Sequence, residues 1–93
     1  MSTLHILNKA SLEHPASRDC LRCLGKKDAL LLIEDGVYLT QRYTIVHKSA
    51  RVMALQHDLH QRGLSPLQNH IEIIDDAGFV EACAQYDRLL SWF

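Results

Sequence analysis

Ala29-Leu30-Leu31-Leu32-Ile33-Glu34-Asp35-Gly36 is the stretch on which the fold turns. Its five apolar residues form an unbroken run of strand length, too short for a helix. A run with no polar face belongs to a strand covered on both sides, as in parallel sheets flanked by helices. The ending of two carboxylates and a glycine predicts a turn, with an acidic residue placed to cap a following helix. Open α/β sheets hold ligands outside the carboxyl ends of their strands, which makes Glu34 and Asp35 candidate site residues, although a turn explains them as well.

Working outward, Gly25 closes a helix that starts near Pro15 and runs to about Leu24; proline suits a first turn and glycine an ending. Before it, Thr3–Leu7 is short and rich in apolar residues, a first strand. After the turn, Val37–Thr44 is a short helix or irregular, and Ile45–Ala50 fits no single pattern. Arg51–Gln56 is a third strand and His57–Arg62 a helical segment closed by Gly63. Ile71–Ile74 is a fourth strand. Asp75 or Asp76 caps a helix whose Phe79, Val80, Cys83 and Ala84 share one face, Asp87 breaks it, and Arg88–Trp92 is a short edge strand. Strands alternating with helices predict an α/β domain with a mostly parallel sheet of four to five strands, as one unit over residues 1–93.

Ten basic residues against eleven acidic give a net charge of −1, which leaves no excess to grip a phosphate backbone; direct nucleic-acid binding is not expected. No apolar stretch approaches the roughly 20 residues that span a bilayer. Met1-Ser2-Thr3-Leu4-His5 lacks the pattern of a secretion signal. Three cysteines in 93 residues argue for a reducing compartment, so a cytoplasmic location is expected.

Cys20-Leu21-Arg22-Cys23 is the one thiol motif. A redox dithiol wants its first cysteine at a helix N-terminus, where the dipole lowers the thiol pKa. Cys20 lies about one and a half turns into its helix, and Ala16, Cys20, Cys23 and Leu24 make an apolar stripe. Pattern alone therefore favours both cysteines as small core residues. Zinc held by Cys20, Cys23, His57 and His60 lacks a knuckle, and the two pairs stand far apart. The histidines scatter and read as surface residues. With no GxGxxG and no P-loop, neither a metal nor a cofactor is expected. The apolar ending Leu89-Leu90-Ser91-Trp92-Phe93 needs its own sheet or a partner to dock on.

Several short strings resemble the TusB/DsrH family. They are Leu4-His5-Ile6-Leu7-Asn8-Lys9, the stretch Leu30 to Tyr38 with its Asp35-Gly36-Val37 turn, Leu55-Gln56-His57-Asp58-Leu59-His60-Gln61-Arg62-Gly63-Leu64, and Asp76-Ala77-Gly78-Phe79-Val80 with Asp87 and Trp92 beyond it. The third is the most specific. The resemblance implies a three-layer Rossmann-like (DsrE-like) domain. It also implies a subunit of a sulfur-relay complex with TusC/DsrF-like and TusD/DsrE-like sister subunits, a hetero-hexamer that meets sulfur-carrier proteins indirectly. Such complexes pass persulfide sulfur toward 2-thiolation of the wobble uridine in tRNA or, in the other branch, serve intracellular sulfur oxidation. The main acceptor cysteine belongs to a sister subunit, and this chain is not expected to be catalytic alone. Cys20 matches a cysteine of DsrH-type members, which makes it the candidate persulfide carrier. Asp58 is expected as a cap and Gly63 as a terminator. A stand-alone redox protein using Cys20 and Cys23 is the competing expectation.

Overall fold

The computed structural model describes residues 1–42 and 51–93. Ile45–Ala50 and the end of Val37–Thr44 lie outside these. Among the described residues five strands, β1 (Thr3–Leu7), β2 (Ala29–Leu32), β3 (Arg51–Leu55), β4 (Glu72–Ile74) and β5 (Arg88–Trp92), form one sheet in the order β4-β3-β2-β1-β5. Every pairing is parallel. Helices α1 (Pro15–Cys23), α2 (Gln56–Gln61) and α3 (Asp76–Gln85) and a 3₁₀ segment (Glu34–Gln41) connect them.

The apolar run sits where its composition puts it. All four residues of β2 are fully buried, between β1 and β3. Leu30 and Leu32 join Leu7, Val52 and Ala54 on one face, against Cys20 and Leu24 at α1, Val37 and Leu39 of the 3₁₀ segment and Leu59 of α2. Ala29 and Leu31 join Leu4, Ile6 and Met53 on the other face, under Ala82, with Phe79 and Cys83 packed alongside. Burying a leucine side chain contributes about 2 kcal/mol, so β2 anchors both layers.

Two helix faces differ from the expected ones. On α1 the inward residues are Ser17, Cys20, Leu21 and Leu24, and Cys23 is exposed. That stripe follows i, i+3, i+4 and i+7, and its register lets Leu21 pack against the core. On α3 the inward stripe is Phe79, Ala82, Cys83 and Tyr86, while Val80 is 71% exposed and Ala84 also faces out. Gly78 sets this register: a Cβ there would stand 3.0 Å from the Ile74 Cβ, so the helix start lies close over the end of β4.

His5, expected at the surface, is buried in β1. Its Nε2 lies 3.0 Å from Asp28 Oδ2, and the Trp92 indole N–H donates to its Nδ1 at 3.0 Å. The indole occupies Nδ1 as a donor, which leaves the proton on Nε2, facing Asp28. The two rings stack with centroids 6.1 Å apart. Trp92 thus docks on its own sheet, whereas Phe93 remains exposed.

Candidate functional site

Three places carry the residues singled out from the sequence: the α1 thiols, the carboxyl end of β2, and a cleft beyond β3 and β4. Cys20 is completely buried, and burial, with the neighbouring Cys23 adding to it, pushes its thiol pKa up to about 12. The thiolate is the nucleophile in sulfur chemistry, and this site holds the neutral thiol. Cys23 is exposed, and Cys83 is half-buried on the other face of the sheet. The CxxC motif therefore divides between core and solvent and does not present a matched dithiol.

The most specific string and the acidic turn meet at the carboxyl end of the sheet. Glu34 adopts a positive φ of 49°, a conformation costly for a residue with a side chain. Its backbone N–H donates to Asp58 Oδ2 at 2.7 Å. Asp58 does not cap its own helix: α2 begins after Leu55, with no side-chain cap. It serves instead as the acceptor that fixes the start of the 3₁₀ segment, a long-range cap no local pattern reveals. Arg62 donates to the Asp58 carbonyl at 3.1 Å and to Asp35 Oδ1 at 2.9 Å, and its guanidinium lies over the Tyr38 ring at 5.9 Å. The Asp35 carboxylate raises the Arg62 pKa further, so this cation stays charged. Gly36 closes the arrangement. A Cβ there would come within 2.3 Å of the Leu7 carbonyl oxygen, so only glycine lets the turn lie against β1. Gly63, at φ 63°, terminates α2 as expected.

Within this network Asp58 and Arg62 are spent on each other, on Asp35 and on backbone, the Asp35 carboxylate is 64% exposed, and no thiol enters it. Its chemistry is that of a brace: it locks the β1, β2 and β3 ends into one rigid surface. Beside it, Gln56, His57, His60, Asp75 and Asp76 line an open cleft of about 270 Å³. Asp75 caps α3 through the Gly78 N–H at 2.8 Å, while His57 and His60 are exposed. Among the described residues, no group of three or more histidines, cysteines and acids is placed to hold a metal ion. The cleft presents imidazole, amide and carboxylate groups, and no cysteine lines it. Spacing singled out His57 and His60 but did not join them to the start of α3, because only the parallel pairing of β3 with β4 brings those segments together.

Comparison with known proteins bears on the whole chain. The family model described as DsrH like protein matches residues 9–89. The protein named Protein TusB from Enterobacter sp. (strain 638) is 32% identical over 95 residues, spanning 96% of this chain and 99% of that protein. Protein TusB from Escherichia coli (strain K12) is 36% identical over 78 residues, 77% of this chain and 82% of that one. The crystal structure of the ychN protein from E. coli superposes with a TM-score of 0.73, at 18% identity, over 98% of this chain and 99% of that one. That likeness concerns the fold.

Proposed function

The chain belongs to the DsrH-like protein family, and on that premise we propose that it is a structural subunit of a cytoplasmic sulfur-relay complex serving 2-thiolation of the wobble uridine in tRNA. The relatives named TusB favour this branch over sulfur oxidation. TusC/DsrF-like and TusD/DsrE-like sister subunits are its partners, and the transferring cysteine is theirs. One observation carries the structural role: Cys20, the thiol expected to carry persulfide, is buried and held in its neutral form. Accepting persulfide sulfur requires a thiolate to attack the donor's outer sulfur, and a buried neutral thiol offers neither charge nor access. The braced carboxyl end and the neighbouring cleft supply a rigid polar surface for docking.

Two measurements test this reading. Co-expression with both sister subunits gives a stable complex; a chain that purifies alone in their presence overturns the assignment. Mass spectrometry of that complex after treatment with a persulfide donor finds the added sulfur on a sister subunit, and Cys20→Ser leaves transfer intact. Sulfur found on Cys20 restores it as a carrier.

A further inference from the structure

We propose that the free edge of β5 is a self-association surface, on which two copies of this chain pair their β5 strands antiparallel about Leu90 and join two sheets into one. This surface lies apart from the cleft and does not depend on the relay role.

The two edges of the sheet contrast. β4 has three residues, and its Glu72 is forked by Arg51, with Nη2 at 3.1 Å from Oε1. Short length and fixed charge are the usual protection of an edge. β5 has five residues and pairs with β1 in unbroken register from Arg88 to Trp92, so no bulge distorts it. It contains no lysine or proline. Its one charge, Arg88, is turned onto its own chain, donating to Thr3 Oγ1 at 3.0 and 3.2 Å. Leu89 and Leu90, on opposite faces, are 51% and 42% exposed. Among the described residues no strand lies beyond it.

The backbone sets the register in which a second copy pairs. Arg88 N–H donates to the Ser2 carbonyl, so the polar groups of Arg88, Leu90 and Trp92 face β1. Those of Leu89 and Ser91 then point outward. In an antiparallel pair centred on Leu90, Leu89 lies opposite Ser91 of the second copy, and these outward residues exchange both backbone hydrogen bonds. The twofold axis repeats the exchange. Leu90 faces Leu90 of the second copy as a close, non-hydrogen-bonded pair, and Arg88 comes opposite Trp92, so no like charges oppose one another. This register pairs every residue of β5. Twofold dimers need a surface complementary to itself, and Arg88-Leu89-Leu90-Ser91-Trp92 meets that condition.

Light scattering on the full chain is expected to give twice the 10.6 kDa chain mass. Leu90→Lys sets two ammonium groups face to face and is expected to return the 10.6 kDa monomer with an unchanged circular dichroism spectrum. Register is read separately, in a Cys23→Ser, Cys83→Ser background. Cα atoms of a close antiparallel pair stand about 4.5 Å apart, within disulfide range, so Leu90→Cys crosslinks to a dimer under a copper–phenanthroline oxidant and Leu89→Cys does not. Self-pairing is overturned by a wild-type monomer at all concentrations, by a dimer indifferent to Leu90→Lys, or by equal crosslinking at 89 and 90. If co-expressed sister subunits capture the position-90 thiol in place of a second copy, the edge belongs to them and self-pairing fails. The crosslinks decide the matter even if Leu90→Lys does not fold.

Discussion

Cys20 and Cys83 lie under opposite faces of the same sheet, yet the first is sealed and the second half-open. The difference follows from topology. Strands β1 to β4 succeed one another in one direction, and right-handed crossovers put the described helical segments between them on one side. That side gathers α1, the 3₁₀ segment and α2. Among the described residues, only the return to β5 crosses the other face, and α3 covers it. The strand order thus makes one thick layer and one thin layer from a sheet whose centre is apolar on both faces. A thiol in the thick layer becomes packing.

The contrast breaks most completely at Gly36. Gly36→Ala drives a methyl into the Leu7 carbonyl, which is backbone and has no room to yield. A loss of about 3 kcal/mol in chemical denaturation is expected, with loosening confined first to the thick layer. Asp58→Ala strands the Glu34 N–H and takes one of two carboxylates from beside Arg62, which keeps Asp35; a loss of about 2 kcal/mol is expected, and an unchanged midpoint would show that the brace is ornamental. The matched pair of thiols is the sharpest comparison. Cys20→Ser buries a hydroxyl in an apolar cluster and is expected to cost about 1–3 kcal/mol, whereas Cys83→Ser stays within about 0.5 kcal/mol. Equal costs would mean that the two layers seal equally well.

The smallest effect is a pH slope. Burial pushes the Asp28 pKa up, but it is outweighed by the N–H groups of Gly25 and Thr3 and by His5, which together hold it below the ordinary aspartate value. A carboxylate depressed in the fold stabilises it above the unfolded pKa, and that contribution is lost as pH falls through the folded value. Acid titration of stability is therefore expected to flatten below the ordinary aspartate range in Asp28→Asn. A wild-type slope retained there would assign the acid limb to other carboxylates, such as Glu72 and Asp87.

Residue patterns located most elements of the sheet. β1 and β5 match their expected spans, and β2, β3 and β4 differ at one end by one residue. Unbroken apolar runs and the punctuation of Pro15, Gly25 and Gly63 are strong local signals. The faces of α1 and α3 were not legible, because a helix of nine or ten residues offers two overlapping stripes and tertiary contact chooses between them. Val80 and Cys23 face out, and Gly78 and Leu21 mark the rotation that tertiary contact chose. The brace was visible as two separate strings, around Glu34 and Asp58, but nothing local says that a carboxylate in α2 accepts an N–H beyond β2. Strand order was likewise hidden, as were the burial of His5 and the cleft, since each depends on segments that only folding brings together.

The tie between β1 and β5 has a consequence for how the chain reaches this state. Ser2 N–H donates to Asp87, Arg88 to Thr3 and Trp92 to His5, across sequence separations of 85 to 87 residues. During synthesis β1 is made early, and its second neighbour emerges only after everything between them. Contacts of such span carry the largest loop-closure entropy and raise the contact order, which slows folding. β5 is therefore expected to be the slowest of the five strands to dock, with one flank of β1 bare until it does.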